Sequence, residues 1–169
     1  MKVEVCAYSL LVPPLSDAIL ISSNQRMKMA GGLSGAIHRL AGPGLRDYCD
    51  KAAPLPVGAA FVTPGFDSPF QWIVHAHPGN NFTHSAPWSC LAQTLLAALE
   101  AAETVRIRSL CMSAFGTGSA QIPAMAAASI TMRTLRAQTD IFRNLESIKF
   151  CITNPTVLDT YLGGRESRT

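Results

Sequence analysis

Charged residues are scarce in this chain. Asp, Glu, Lys and Arg make up 15% of its 169 residues, against about a quarter in an average soluble domain. Aromatic residues are few as well, at 7%. Hydrophobic residues, at 48%, are enough to form a substantial core. The composition therefore excludes a disordered chain and indicates one globular domain.

Long apolar runs and blocks of like charge are also missing. Pro13 and Pro14 interrupt the hydrophobic start well before the length of about 20 residues that crosses a bilayer. We therefore expect a cytoplasmic protein without a membrane partner. The net charge of +3 comes from scattered Lys and Arg residues. This pattern favours a solvated surface, and a nucleic-acid partner stays open as the alternative.

Spacings typical of metal sites are absent too. The five cysteines include no CxxC pair, and most of them lie in apolar runs where a free thiol packs as a small hydrophobe. His75 and His77 lie two apart on a predicted strand, with His84 as the nearby third candidate. We interpret His75 as a hydrogen-bonded core residue and His38 as a residue that packs on a helix surface. The sequence predicts no metal site and no cofactor.

Short apolar runs alternate with longer helical patterns along the chain. The predicted strands cover residues 3–11, 18–22, 59–66, 71–77, 110–114 and 148–153, and the predicted helices cover 34–49, 88–103, 123–135 and a short segment from Pro155. Gly42-Pro43-Gly44 is expected to bend the first helix. This order predicts a three-layer α/β/α domain with a mixed, mostly parallel central sheet, followed by a flexible tail over 163–169.

Two glycine-containing turns each connect an apolar strand to a helix. The first is Gly31-Gly32-Leu33-Ser34, and the second is Gly116-Thr117-Gly118-Ser119-Ala120. Convergent N–H groups at such turns can hold phosphates, and glycine lets the backbone approach closely. Ligands of open α/β sheets bind beyond the carboxyl ends of the strands. Two turns facing one cleft therefore predict a nucleotide-like ligand, although either turn alone could be a simple connection.

Four segments of the chain follow one another in a characteristic order. The first two are Asp17-Ala18-Ile19-Leu20-Ile21-Ser22-Ser23-Asn24 and Gly31-Gly32-Leu33-Ser34-Gly35-Ala36-Ile37-His38, and the other two are Thr63-Pro64-Gly65-Phe66 with Ile73-Val74-His75 and the stretch Ser113-Ala114-Phe115-Gly116-Thr117-Gly118 that leads to Pro123. Together these segments resemble the macro domain family, which binds ADP-ribose. The similarity covers nearly all of residues 17–162. It implies a macro domain over residues 1–162, with ADP-ribose or an ADP-ribosylated protein as the partner.

The resemblance implies ligand contacts around both turns, with Asn24 near the distal ribose. The implied contact residues are Ile19, Asn24, Gly31, Gly32, Leu33, Ser34, Gly116, Thr117, Gly118, Ser119, Ala120, Thr153 and Asn154. Several of them have a structural alternative. Asn24 could stabilise its own turn, Ser34 could be a helix N-cap, and Thr117 could cap its turn.

The resemblance also implies losses in the polar chemistry of the site. Ser34 stands where many hydrolytic members carry the Asp that activates water. Gln121 replaces a glycine of the second turn, and no carboxylate stands near Tyr8 to bind the adenine amino group. A serine hydroxyl is a poor general base at neutral pH. Asn24 and Ser34 are the remaining candidates for a catalytic role.

Three functions are compatible with this pattern. The favoured one is binding of ADP-ribose or a related nucleotide diphosphate, with weak or no hydrolase activity. The second is hydrolytic removal of ADP-ribose from protein or acetyl groups. The third is a scaffold or RNA-binding macro domain whose nucleotide cleft has decayed.

Overall fold

The computed structural model describes residues 1–11, 16–29, 31–80, 85–138 and 141–163. Strands and helices alternate along these ranges. The elements are β1 (Lys2–Cys6), β2 (Ala18–Ser22), α1 (Gly32–Ala52), β3 (Ala60–Pro64), β4 (Trp72–Ala76), α2 (Pro87–Thr104), β5 (Ser109–Met112), α3 (Ala124–Ala137), β6 (Ser147–Cys151) and α4 (Pro155–Tyr161). Apart from Gly163, the tail predicted over 163–169 lies outside the described residues.

The strands form one six-stranded sheet in the order β1-β6-β5-β2-β4-β3. Neighbouring strands pair in parallel, except that the edge strand β3 runs antiparallel to β4. Strands β3 and β4 follow each other along the chain and need only a short turn, whereas the parallel pairs need longer crossovers. The predicted mixed, mostly parallel sheet is confirmed.

The core lies on both faces of this sheet. In the central strand β2, Leu20 packs into the cluster under α2, α3 and α4, while Ile19 and Ile21 pack into the cluster under α1. Because side chains alternate between the faces of a strand, an uninterrupted apolar run is needed where both faces are covered. This gives the three layers predicted from the sequence, with α1 on one side and the other helices opposite.

Two element boundaries differ from the expectation. Strand β1 ends at Cys6 because the chain bends at Ala7 and Tyr8, whose side chain is exposed. Helix α1 continues to Ala52, but its path breaks at Gly42, where φ is 74° and ψ is −168°. The predicted bend at this glycine is therefore confirmed.

No helix within the described ranges combines the length and the apolar character that crossing a membrane requires.

Gly65, in the turn between β3 and β4, is packed against backbone. A Cβ at this position would lie 1.6 Å from the Phe70 carbonyl oxygen. Gly65→Ala therefore requires a backbone shift, and we expect it to lower the free energy of unfolding by about 2–4 kcal/mol. Urea denaturation followed by circular dichroism measures the change. Gly118→Ala is the matched control, because a Cβ at that position would have nothing within 4 Å; equal midpoints for both variants would contradict this packing.

Candidate functional site

The two glycine turns face each other across one cleft at the carboxyl edge of the sheet. Strands β2 and β5 are parallel neighbours, so the segments that follow them leave the sheet side by side. The cleft has a volume of about 300 Å³. The residues that line it are Ser22, Gly31, Gly32, Leu33, Ser34, Ser113, Ala114, Gly118 and Ser119.

One wall of the cleft is the N-terminus of α1. Gly31 is the N-cap, and no side chain caps the helix. The first-turn N–H groups of a helix have no intrahelical partner, and they lie at the positive end of its dipole. The first turn of α1 also contains no acidic residue that would offset this charge. This wall is therefore suited to an anion.

Ser34 lies on the same wall, and its hydroxyl is buried. Its side chain is only 7% exposed, and its Oγ has no hydrogen-bond partner among the described residues. Ser34 lies three positions after the Gly31 cap, so its interpretation as the N-cap is wrong. A buried hydroxyl without a partner costs free energy.

The opposite wall is the turn after β5. Gly116 has φ of 89°, a conformation that glycine adopts readily. The Thr117 hydroxyl donates to the Ala114 carbonyl oxygen at 2.7 Å, so Thr117 caps the turn. Gln121 keeps a left-handed backbone with φ of 54° although it has a side chain. Hydrogen bonds among the described residues leave the N–H groups of 118–120 without partners.

A model of the Macro domain family matches residues 22–131 of this chain. The chain belongs to the macro domain family. A macro domain-containing protein of Chlorobaculum tepidum is 31% identical over 150 residues, which cover 86% of this chain and 85% of that protein. The resemblance inferred from the sequence is thus confirmed.

Solved structures share the fold of this macro domain. A glycine-to-valine variant of the Oceanobacillus iheyensis macrodomain with ADPR has a TM-score of 0.85 at 23% identity, covering 96% of this chain and 90% of that one. The Trypanosoma brucei macrodomain in complex with ADP has a TM-score of 0.83 at 23% identity, covering 96% and 68% respectively. The predicted α/β fold is confirmed by these similarities.

In this macro domain Asn24 organises its own loop. Its Oδ1 accepts hydrogen bonds from the N–H groups of Arg26 and Lys28 at 3.1 and 3.3 Å, and its Nδ2 donates to the Lys28 carbonyl oxygen at 2.9 Å. These contacts are those of an Asn that stabilises a turn. Asn24 does not line the enclosed cleft.

Several other predicted contact residues lie away from the cleft wall. Ile19 is completely buried in the core under α1, which removes its side chain from the set that can touch a ligand. Ala120 is also buried. Thr153 and Asn154 follow β6, and Asn154 caps α4 by accepting a hydrogen bond from the Val157 N–H at 3.2 Å.

Three lining residues were not predicted from the sequence. Ser22 ends β2, and Ser113 and Ala114 directly follow β5. The rule that ligands bind at the carboxyl ends of parallel strands could have identified them. With Ser22 and Ser113 included, the lining residues carry hydroxyls and backbone N–H groups but no acidic or basic side chain. The wall can therefore bind an anion, but it offers no strong general base.

His75 is a core residue of this macro domain, as expected from the sequence. It is completely buried, with Nδ1 3.1 Å from Ser23 Oγ and Nε2 3.2 Å from Thr63 Oγ1. Burial, followed by the charge of His38, lowers the pKa of His75 to about 3. His77 Nδ1 contacts the Leu55 carbonyl oxygen at 2.8 Å instead. His84 lies outside the described residues.

Burial of neutral His75 makes stability depend on pH. An unfolded histidine has a pKa of about 6.5, whereas folding lowers the pKa of His75 to about 3. Between these values the unfolded chain binds more protons, so the free energy of unfolding falls as the pH falls, by about 1.4 kcal/mol per pH unit. Urea denaturation from pH 7 to pH 4 should show this contribution, and His75→Gln should remove it.

The control for this prediction is His77→Gln, which leaves His75 unchanged. For each protein we compare the slope of the free energy of unfolding against pH. The slope is used because His75→Gln or His77→Gln can each change the free energy of unfolding by a constant amount at every pH. Identical slopes for the parent protein and for His75→Gln would contradict the prediction.

Proposed function

We propose that this macro domain binds ADP-ribose or a related nucleotide diphosphate. The observation that carries the proposal is that the first turn of α1 and the segment Gly118–Ser119 line one cleft, and that the backbone N–H groups at both places have no partner among the described residues. Such groups bind phosphate oxygens by charge-assisted hydrogen bonds. Structural neighbours of this chain were solved with ADPR and with ADP, which supports a ligand of this class.

The size of the cleft supports a diphosphate at its centre. About 300 Å³ lies at the lower end of the range for small-molecule sites, roughly 300–1,000 Å³. The enclosed part therefore suits the diphosphate and adjoining atoms, while the two ends of the ligand extend along the sheet edge. Strand order places the segment after β6 on one side of β5 and the segment after β2 on the other. We assign the nucleobase of the ligand to the side of the cleft near Thr153. The distal ribose of the ligand would lie on the side near Asn24.

The polar side chains that line this site are uncharged serine hydroxyls. Ser34 has a buried hydroxyl without a partner among the described residues, and Ser22, Ser113 and Ser119 add further hydroxyls to the lining. Hydroxyls can donate to phosphate or ribose oxygens without introducing a charge. Since the lining has no carboxylate, it does not repel the diphosphate.

The Gly118 position tests where the diphosphate binds. Gly118 is exposed on the cleft wall, and nothing lies within 4 Å of a Cβ placed there. Gly118→Glu should therefore fold but place a carboxylate beside the phosphates. We expect calorimetry to show at least about a 100-fold loss of affinity for ADP-ribose, because like charges at close range repel strongly.

Gly118→Gln is the matched control, with the same side-chain length and no charge. It should retain most of the affinity of the parent protein. If Gly118→Glu binds ADP-ribose as well as the parent does, the second turn is only a connection. If the parent itself shows no heat at millimolar ADP-ribose, the proposed function is wrong.

Weak or absent hydrolysis is the second part of the proposal. Efficient general-base catalysis contributes about 100- to 10,000-fold, and Ser34 offers only a hydroxyl at the start of α1. The parent protein should therefore release ADP-ribose from modified carboxylates very slowly or not at all. Ser34→Asp should raise the single-turnover rate at least about tenfold, because a carboxylate at this position can accept a proton.

Ser34→Asn is the control for shape, since it has a similar volume to Asp but no basic group. Affinity for ADP-ribose, measured in parallel, separates an effect on chemistry from an effect on binding. Rapid turnover by the parent protein that survives Ser34→Ala and Asn24→Ala would show that the chemistry does not depend on these residues.

A further inference from the structure

Three side chains with metal-ligating atoms meet in the interior beneath α1. His38 and Cys49 lie on α1, and His75 lies on β4. One ligand atom from each residue lies within 4.8 Å of the other two, and all three residues are buried. None of them lines the cleft. The cluster is therefore separate from the proposed ligand site.

One ring nitrogen of His38 lacks a partner. His38 is 6% exposed, and its Nε2 has no hydrogen-bond partner among the described residues. A buried nitrogen without a hydrogen-bond partner is destabilising. A cation bound at this atom would remove the destabilisation.

The imidazoles of His38 and His75 are both uncharged, which is the form that binds a metal ion. Burial, followed by the charge of Arg46, lowers the pKa of His38, and burial also lowers the pKa of His75. Both rings are therefore neutral near pH 7, and each has one nitrogen lone pair. Burial raises the pKa of the Cys49 thiol to about 11. A metal cation would displace that proton and bind the thiolate.

We propose that His38, Cys49 and His75 form a buried site for one zinc ion. Two imidazole nitrogens and one thiolate are ligands that zinc prefers. In tetrahedral zinc geometry the ligand atoms lie roughly 3.3–3.8 Å apart, given the usual bond lengths. The separations of up to 4.8 Å need to shorten by roughly 1 Å. Binding therefore requires the three side chains to move towards one another.

Two hydroxyls complete the surroundings of His75. Its ring nitrogens lie 3.1 Å from Ser23 Oγ and 3.2 Å from Thr63 Oγ1. Whichever nitrogen binds zinc, the other keeps its hydroxyl partner, and such outer bonds orient a metal-ligating histidine. In the binding step, the Cys49 S–H bond breaks, its proton goes to solvent, and the sulfur lone pair binds zinc.

The proposed ion would connect α1 to the centre of the sheet. His38 and Cys49 lie about three helical turns apart, on either side of the break at Gly42. A single ion would therefore hold both halves of α1 against β4. Its role is structural, and it does not depend on whether the cleft binds a nucleotide.

Refolding the full chain with zinc tests the proposal. The protein is unfolded with a reducing agent present, refolded with Zn²⁺, dialysed against metal-free buffer and analysed for zinc by mass spectrometry. We expect about one zinc ion per chain, as the single site requires. Cys49→Ser should weaken zinc binding at least about 100-fold, more than the 10- to 100-fold that loss of an outer-shell partner costs. Cys90→Ser is the matched control, because Cys90 is also a buried helix cysteine but contacts Thr94 instead.

Cobalt substitution gives a readout that needs no folded variant. In the unaltered protein, Co²⁺ bound by the Cys49 thiolate should produce a sulfur-to-metal charge-transfer band that Zn²⁺ removes. Absence of this band, zinc well below one ion per chain, or equal zinc in the parent and in folded Cys49→Ser would each overturn the proposal. Titration of the same samples with ADP-ribose distinguishes failure of this inference from failure of the proposed function.

Discussion

Strands β2 and β5 lie side by side and run in the same direction, with Ile19 opposite Cys111 and Leu20 opposite Met112. This pairing brings together two turns that are about 85 positions apart in the sequence. An antiparallel arrangement would send them to opposite edges of the sheet, and neither turn alone encloses a cleft. Strand β2 also holds α1 in place, because its residues Ile19 and Ile21 form part of the core beneath that helix. Sheet direction and core packing therefore act together in building the site.

Helix α1 combines two kinds of chemistry at different depths. Its first turn lines the cleft with N–H groups that no side chain caps, whereas His38 and Cys49, further along the helix, meet His75 of β4. The break at Gly42 lets the two halves follow different directions. The proposed phosphate site would depend on the dipole of the backbone, and the proposed zinc site would depend on lone pairs of side chains. An amphipathic helix of 21 residues, broken at Gly42, can therefore contribute to both proposed sites.

The fold could largely be predicted from the sequence, because apolar runs, helical periodicity and the helix break at Gly42 are local signals. The site could be predicted only in part. The type of a residue does not reveal whether its polar atoms are used locally, as those of Asn24 and Thr117 are, or left without a partner among the described residues, as that of Ser34 is. Burial of Ile19 follows from the strand pattern, although the family resemblance placed it at the ligand. The meeting of His38, Cys49 and His75 depends on packing across the fold and has no local signal.

A site made of main-chain donors has an unusual tolerance of sequence change. Every residue except proline supplies an N–H group, so replacement of a side chain in these turns removes no donor. The turn after β5 illustrates this, since Gln121 holds a left-handed backbone where a glycine would be expected. Phosphate recognition of this kind can persist while the side chains that read a base or catalyse a reaction are exchanged. A macro domain can therefore change its specificity and its chemistry in separate steps, while the same anchor continues to hold the ligand.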